Sequence, residues 1–270
     1  MSNVDKRKSK ILNIVAYGIV FFIVVPLLVL SFWSFAGRWP WPGLLPVGFT
    51  VRGMEELFSK SANMFSVVTS SVLLSLTVAV LATVIGTMTA RALVFYDFKG
   101  KELVSFGTIL PIIIPGTAFA MGVHVVLIYL GLADTFIGVV LVHLIYALPY
   151  TVNIMMDVTA MTGDNLEIQG QVLGIPPFRS FYHITLPLIM PGVISSVSMA
   201  YIISFSQYFI TLMIGGGKVK TLSVVMVPFI QSGDRTIASS YALMFVLSTF
   251  VVFILLELVI KRFTARLNGI

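Results

Sequence analysis

Residues 64–95 read Met64-Phe-Ser-Val-Val-Thr-Ser-Ser-Val-Leu-Leu-Ser-Leu-Thr-Val-Ala-Val-Leu-Ala-Thr-Val-Ile-Gly-Thr-Met-Thr-Ala-Arg-Ala-Leu-Val-Phe95, with no ionisable side chain before Arg91. The hydrocarbon core of a bilayer is about 30 Å thick, and a helix of about 20 apolar residues crosses it. The stretch therefore reads as a membrane span. Outward from it, comparable apolar runs lie near 11–35, 103–131, 135–158, 187–214 and 238–261. Six such runs define an all-α integral membrane protein with six transmembrane helices. Ala82, Gly86 and Ala90 recur every four residues, a stripe of small side chains that lets a second helix approach closely.

Composition agrees. Of 270 residues, 58% are hydrophobic and 10% charged, against about 45–50% and about 25% in soluble domains. Cysteine is absent, which excludes a disulfide framework, a thiolate metal site and a cysteine nucleophile. The opening Lys6-Arg7-Lys8-Ser9-Lys10 has the polarity of a secretory signal. The apolar run Ile11 to Phe35 is longer than the usual stretch of about 7–15 residues, so it reads as an uncleaved anchor.

The net charge of +6 does not point to nucleic acid, because the 17 Lys and Arg residues sit mainly in short loops between apolar runs. An even number of spans puts both termini on one side. One assignment gathers Lys6, Arg7, Lys8, Lys10, Arg91, Lys99, Lys101, Arg179, Lys261, Arg262 and Arg266 on that side and leaves six basic residues on the other. The excess marks the cytoplasm, so both termini are expected to be cytoplasmic.

The loop Thr162-Gly-Asp-Asn-Leu-Glu-Ile-Gln-Gly-Gln-Val-Leu-Gly-Ile-Pro-Pro-Phe-Arg-Ser-Phe-Tyr-His-Ile-Thr-Leu-Pro187 reads as two short helices. Asp164 or Asn165 can cap a helix start, Gly174 can end it, and Pro176 and Pro177 enforce a turn. Phe178, Phe181 and Ile184 then recur every three residues, a ridge that must bury itself against lipid, the chain's own helix ends or another protein.

Gly174, then Phe181, Ile184, Leu186, Pro187 and Pro191, resemble the cytoplasmic signature loop of binding-protein-dependent ABC importer permeases of the MetI-like kind. The resemblance extends to the turn Tyr96-Asp-Phe-Lys-Gly-Lys101 and to a plan of one N-terminal span before a five-span core. It implies residues 1–63 as N-terminal helix and outer loop, 64–262 as permease core with a coupling loop at 159–186, and 263–270 as a cytoplasmic tail. It further implies a multi-pass chain of the bacterial cytoplasmic membrane, working with a cytoplasmic ATPase dimer, a second homologous or identical permease subunit and an extracytoplasmic solute-binding protein. Gly174, Phe178, Phe181, Ile184 and Pro187 are the expected coupling residues. Where the family has Glu-Ala-Ala, this chain has Ile168-Gln169-Gly170 with Glu167 displaced by one, so no role is assigned to the glutamate. The branch it looks most like imports polyamines, thiamine, iron or phosphonates. Spermidine or putrescine is the first reading of the solute, and the other three are the alternatives.

Nothing in the chain supplies catalysis. Gly215-Gly-Gly-Lys-Val-Lys-Thr221 superficially resembles a phosphate loop but lacks the glycine before its second lysine. ATP and Mg are therefore expected on the partner ATPase and no cofactor on this chain. The histidines His124, His143 and His183 form no metal-binding pattern. His124 and His143 could face each other, but lone histidines of this kind are read as structural.

His143, Tyr146, Tyr150, Asn153 and Asp157 are spaced three, four, three and four, and so form one polar stripe. Ser204, Gln207 and Thr211 share a face of span five. These groups line a water-filled route or bond neighbouring helices. Tyr150, Asn153, Ser204, Gln207 and Thr211 are the pathway candidates. Pro111, Pro115, Gly116 and Pro149 are expected to interrupt spans three and four. A secondary carrier would need internal repeats and ionisable groups within its spans, and a membrane enzyme a catalytic cluster. Neither is evident.

Overall fold

A computed structural model describes residues 3–37, 43, 46–60 and 62–268. The chain divides into two compact units, Phe65–Val225 with Ser248–Ile270, and Met1–Met64 with Met226–Leu247.

The larger unit is organised by α3 (Met64–Phe95), α6 (Phe136–Thr162) and α9 (Leu186–Phe205), and α6 packs most extensively on α9. Small residues allow this. A Cβ on Gly192 of α9 would lie 2.8 Å from Val158 Cγ2 of α6, and one on Gly86 of α3 would lie 2.6 Å from Thr151 Oγ1 of α6. Thr151 Oγ1 lies 3.0 Å from the Ala82 carbonyl, a hydrogen bond between helices worth on average about 0.6 kcal/mol in a membrane. Ala82 and Ala90 are fully buried. The Ala82, Gly86, Ala90 stripe is thus a packing seam.

Span three is not one straight helix. α4 (Lys101–Ile113) and α5 (Gly116–Tyr129) meet at 111°. Pro115 has no N–H and disfavours helical backbone in the residue before it, and Ile114 is extended at φ −74°, ψ 131°. Pro111 and Pro149, by contrast, lie inside α4 and α6 without ending either, so two of the expected interruptions do not occur. Both prolines line an apolar cavity of about 230 Å³ between α3, α4 and α6. Gly107 and Ile145, whose carbonyls each lose the partner four residues on, line it too. Among the described residues, five helices are long and apolar enough to cross a membrane, and the bent pair makes a sixth when taken as one broken span.

The expected span at 187–214 divides into α9 and α10 (Phe209–Gly215), parted at Ser206, Gln207 and Tyr208. A turn follows, with Gly216 and Gly217 at positive φ, joined to the turn before α6 by the Lys218–Asp134 ion pair. The apolar helix α11 (Leu222–Gln231) lies between the runs read as spans at 187–214 and 238–261. Its start is held by the Leu222 N–H donating to Ser71 Oγ at 2.7 Å.

In the smaller unit, α1 (Asn3–Trp33) runs into a short extended pairing of Ala36 with Phe49, and α2 (Arg52–Leu57) follows. α12 (Arg235–Asn268) begins in this unit. Thr236 Oγ1 donates to the Ala36 carbonyl, Arg52 pairs with Asp234, and the Arg235 guanidinium lies over the Trp33 ring.

Candidate functional site

α7 (Asn165–Val172) ends at Gly174, whose φ is +88°. The Gly174 N–H donates to the Gln171 carbonyl and the Ile175 N–H to the Gly170 carbonyl. This doubly bonded stop needs a left-handed residue that only glycine supplies cheaply. α8 (Pro177–Ser180) is not free-standing, contrary to the reading of two separate helices. It continues through a π-helical turn, Phe181–Thr185, into α9. Pro187 falls in the first turn of α9, where a missing amide is tolerated.

One carboxylate fixes this loop to the bundle. Glu167 of α7 takes two contacts from Arg91 Nη2, at 2.9 and 3.1 Å, and accepts from Thr185 Oγ1 at 2.6 Å. Its backbone carbonyl accepts from Ser180 Oγ at 2.8 Å. The two charged side chains are only 19% and 11% exposed. The Arg91 guanidinium also lies 5.0 Å above the Phe181 ring. A glutamate given no role from the sequence is therefore the centre of the loop's attachment. The signal that could have found it was Arg91, an ionisable residue in a 32-residue apolar helix that requires a partner.

The aromatic ridge also needs correcting. Phe181 packs against the cluster of Ala90, Met155 and Ile189, and a Cβ on Gly170 would lie 2.7 Å from Ile184 Cδ1. Phe181 and Ile184 thus face the chain's own interior, because the π turn rotates them away from the line of Phe178. The outer surface is apolar through other residues. Phe178 is 79% exposed, and Val172 and Leu173, which the sequence reading passed over, are 82% and 83% exposed. A loop pinned by a largely buried ion pair carries, at the turn between its helices, three apolar side chains that are more than three-quarters exposed.

The polar stripe of α6 splits in two. His143 is fully buried, with Nδ1 2.9 Å from Ser204 Oγ and Nε2 3.0 Å from Thr211 Oγ1. Thr211 Oγ1 is also within hydrogen-bond distance of the Gln207 carbonyl, so the imidazole, the two hydroxyls and that carbonyl form one network. His143 is therefore a satisfied structural histidine, and it binds two of the pathway candidates, Ser204 and Thr211, inside the bundle. Gln207 is half-buried, and its carbonyl also accepts from Ser223 Oγ of α11 at 2.7 Å. Tyr146 donates to the Gly116 carbonyl at the start of α5. Further along the same face Tyr150, Asn153 and Asp157 are uncovered, and none has a hydrogen bond or ion pair among the described residues. Among the described residues no group of three metal-ligating side chains occurs.

Long apolar helices packed through small residues, with a structured loop anchored to their ends, define a polytopic α-helical membrane protein. Residues 82–268 match the family described as "Binding-protein-dependent transport system inner membrane component", and the chain belongs to that family. It is a permease subunit of an ABC importer, a multi-pass protein of the bacterial inner membrane and a transport component rather than an enzyme.

Among similar proteins is the spermidine/putrescine transport system permease protein PotC of Haemophilus influenzae. It is 24% identical over 93% of this chain and 96% of its own length. A putative 2-aminoethylphosphonate transport system permease protein, PhnV of Salmonella typhi, is 26% identical over 90% and 92%. The putrescine transport system permease protein PotI of Escherichia coli is 26% identical over 78% and 77%. A solved chain of a bacterial ABC transporter involved in import of the acidic polysaccharide alginate shares the fold. Its TM-score is 0.66 at 15% identity, over 95% of this chain and 96% of that one.

Proposed function

We propose that this chain forms half of the solute route of an importer for polyamines such as spermidine or putrescine, and that the α7–α8 loop seats a cytoplasmic ATPase. The observation that carries the second part is the contrast within the loop. Its inner side is fixed by the Arg91–Glu167 pair, while Val172, Leu173 and Phe178 project uncovered. Exposed apolar side chains on a rigid support are what a docking partner covers, and a large aromatic at such a centre carries much of the binding energy. Gly174 sets the turn between them. Phe181, Ile184 and Pro187 act beneath the surface, transmitting displacement of the loop into α9.

Closure of an ATPase dimer then biases a two-state bundle, with ATP and Mg held by that dimer. A second permease, identical or homologous, supplies the other half of the route, and an extracytoplasmic binding protein delivers the solute. With α4 and α5 taken as one broken span, both termini and the loop lie in the cytoplasm. Tyr150 and Asn153 face the route. Ser204, Gln207 and Thr211 border it through their network with His143 and α11. Relatives that import polyamines, PotC and PotI, support the solute class.

The test is co-purification from membranes expressing the whole importer. Phe178→Ala with Leu173→Ala is expected to lose the ATPase while the permease still inserts. Retention at the unsubstituted level would refute the docking surface. Orientation is read by an impermeant thiol reagent on a chain without cysteines. Lys60→Cys should react in intact cells and Gln171→Cys only after permeabilisation. Both positions are exposed, whereas Ser180 is buried.

A further inference from the structure

α6 has two uncovered faces with opposite chemistry. One carries Ile137 and Leu141, which are apolar and suited to lipid. The other begins as the covered line of His143 and Tyr146 and continues, once the cover of neighbouring helices ends, as Tyr150, Asn153 and Asp157. The spacing keeps these on one side of the helix. Asp157 lies five residues before the end of α6 at Thr162, or about 7–8 Å of helical rise. Tyr150 is about 10 Å deeper. An unpaired carboxylate and an unpaired amide on a membrane helix do not face hydrocarbon. Such groups face a water-filled space or other protein, and Asp157 makes the side they present negative.

We propose that Asp157, with Tyr150 and Asn153 above it on the uncovered face of α6, gives the solute route a preference for cations. The inference rests on the reading of that face as part of the route. A solute bearing ammonium groups meets the Tyr150 ring and the Asn153 carbonyl oxygen deeper in the membrane and the Asp157 carboxylate at the inner end. Aromatic faces and carboxylates both favour ammonium. A phosphonate or carboxylate solute meets the same carboxylate as repulsion. Discrimination here arises in the permease itself, in addition to whatever the binding protein selects.

The test uses the assembled importer in membrane vesicles, with Asn153→Cys placed in this cysteine-free chain. Its rates of modification by a trimethylammonium-ethyl and a sulfonatoethyl methanethiosulfonate are compared. The two reagents are similar in size and opposite in charge. Asp157 lies one helical turn away, about 6 Å between Cβ atoms. Asp157→Asn is expected to lower the cation-to-anion rate ratio by about threefold or more, and Asp157→Glu to preserve it. A ratio unchanged by Asp157→Asn overturns the proposal. So does an introduced thiol that neither reagent reaches in an importer that retains its ATPase, and that result leaves the loop's docking role standing. An unsubstituted chain that does not co-purify with an ATPase overturns both readings together.

Discussion

Glu167 and Asp157 are carboxylates ten residues apart, one in the loop and one on the helix that feeds it, and their surroundings could hardly differ more. Glu167 is closed in by Arg91, which itself lies over the Phe181 ring, and by Thr185, while Asp157 is open and unpaired among the described residues. A charged group that has found its partners in its own chain is accounted for by folding. A charged group held on a rigid helix without partners costs stability in a membrane and points to something outside the chain. The same contrast separates Phe181, packed inward, from Phe178, three residues earlier and uncovered.

The sharpest way to break this comparison is to remove one buried partner. Glu167→Ala leaves the Arg91 guanidinium enclosed without a counter-charge and should cost about 3–5 kcal/mol, seen as proteolytic nicking of the loop and a lowered unfolding midpoint in mixed micelles. Phe181→Ala, which empties a partly buried aromatic site, should cost about 2–4 kcal/mol. Gly174→Val should cost about 1–2 kcal/mol, because a β-branched residue is forced to positive φ, and it should free the α7 end to hydrogen exchange. Phe178→Ala should change unfolding by less than about 0.5 kcal/mol while weakening ATPase association. Asp157→Asn should leave stability unchanged or slightly raised. A loss there comparable with that of Glu167→Ala would mean that Asp157 has an internal partner, and the contrast would collapse.

The spans were legible because about 20 consecutive apolar residues have few other uses, and the packing seam of α3 was legible from the spacing of Ala82, Gly86 and Ala90. The loop's stop at Gly174 followed from local chemistry alone. What escaped was set by contacts distant in sequence. Nothing near Glu167 names Arg91, which lies 76 residues earlier. The π turn at Phe181–Thr185 changes which residues share a face, so counting in threes from Phe178 gave a ridge the backbone does not build. The prolines misled for a related reason. Pro115 ends a helix while Pro111 and Pro149 do not, and the surroundings of each decide it. α11 was missed because a largely apolar stretch of ten residues is too short to stand out between two longer runs. The pathway candidates were chosen by polarity, which does not distinguish Ser204 and Thr211, enclosed with His143, from Tyr150 and Asn153, left open.

The bend between α4 and α5 also governs how the protein is made. Thirteen and fourteen residues give helices of about 20 Å each, short of the membrane's hydrocarbon thickness. Neither half can therefore leave the insertion machinery for lipid by itself. During synthesis α4 must wait, shielded, until Tyr129 has emerged and the two can partition together. A photo-crosslinker at Leu103 should mark the insertion machinery in a nascent chain that has emerged only to Ile114, and lipid once Leu132 has also left the ribosome. The break at Pro115 thus separates the two halves of the span by some fifteen residues of translation, an interval over which α4 is expected to stay within the insertion site.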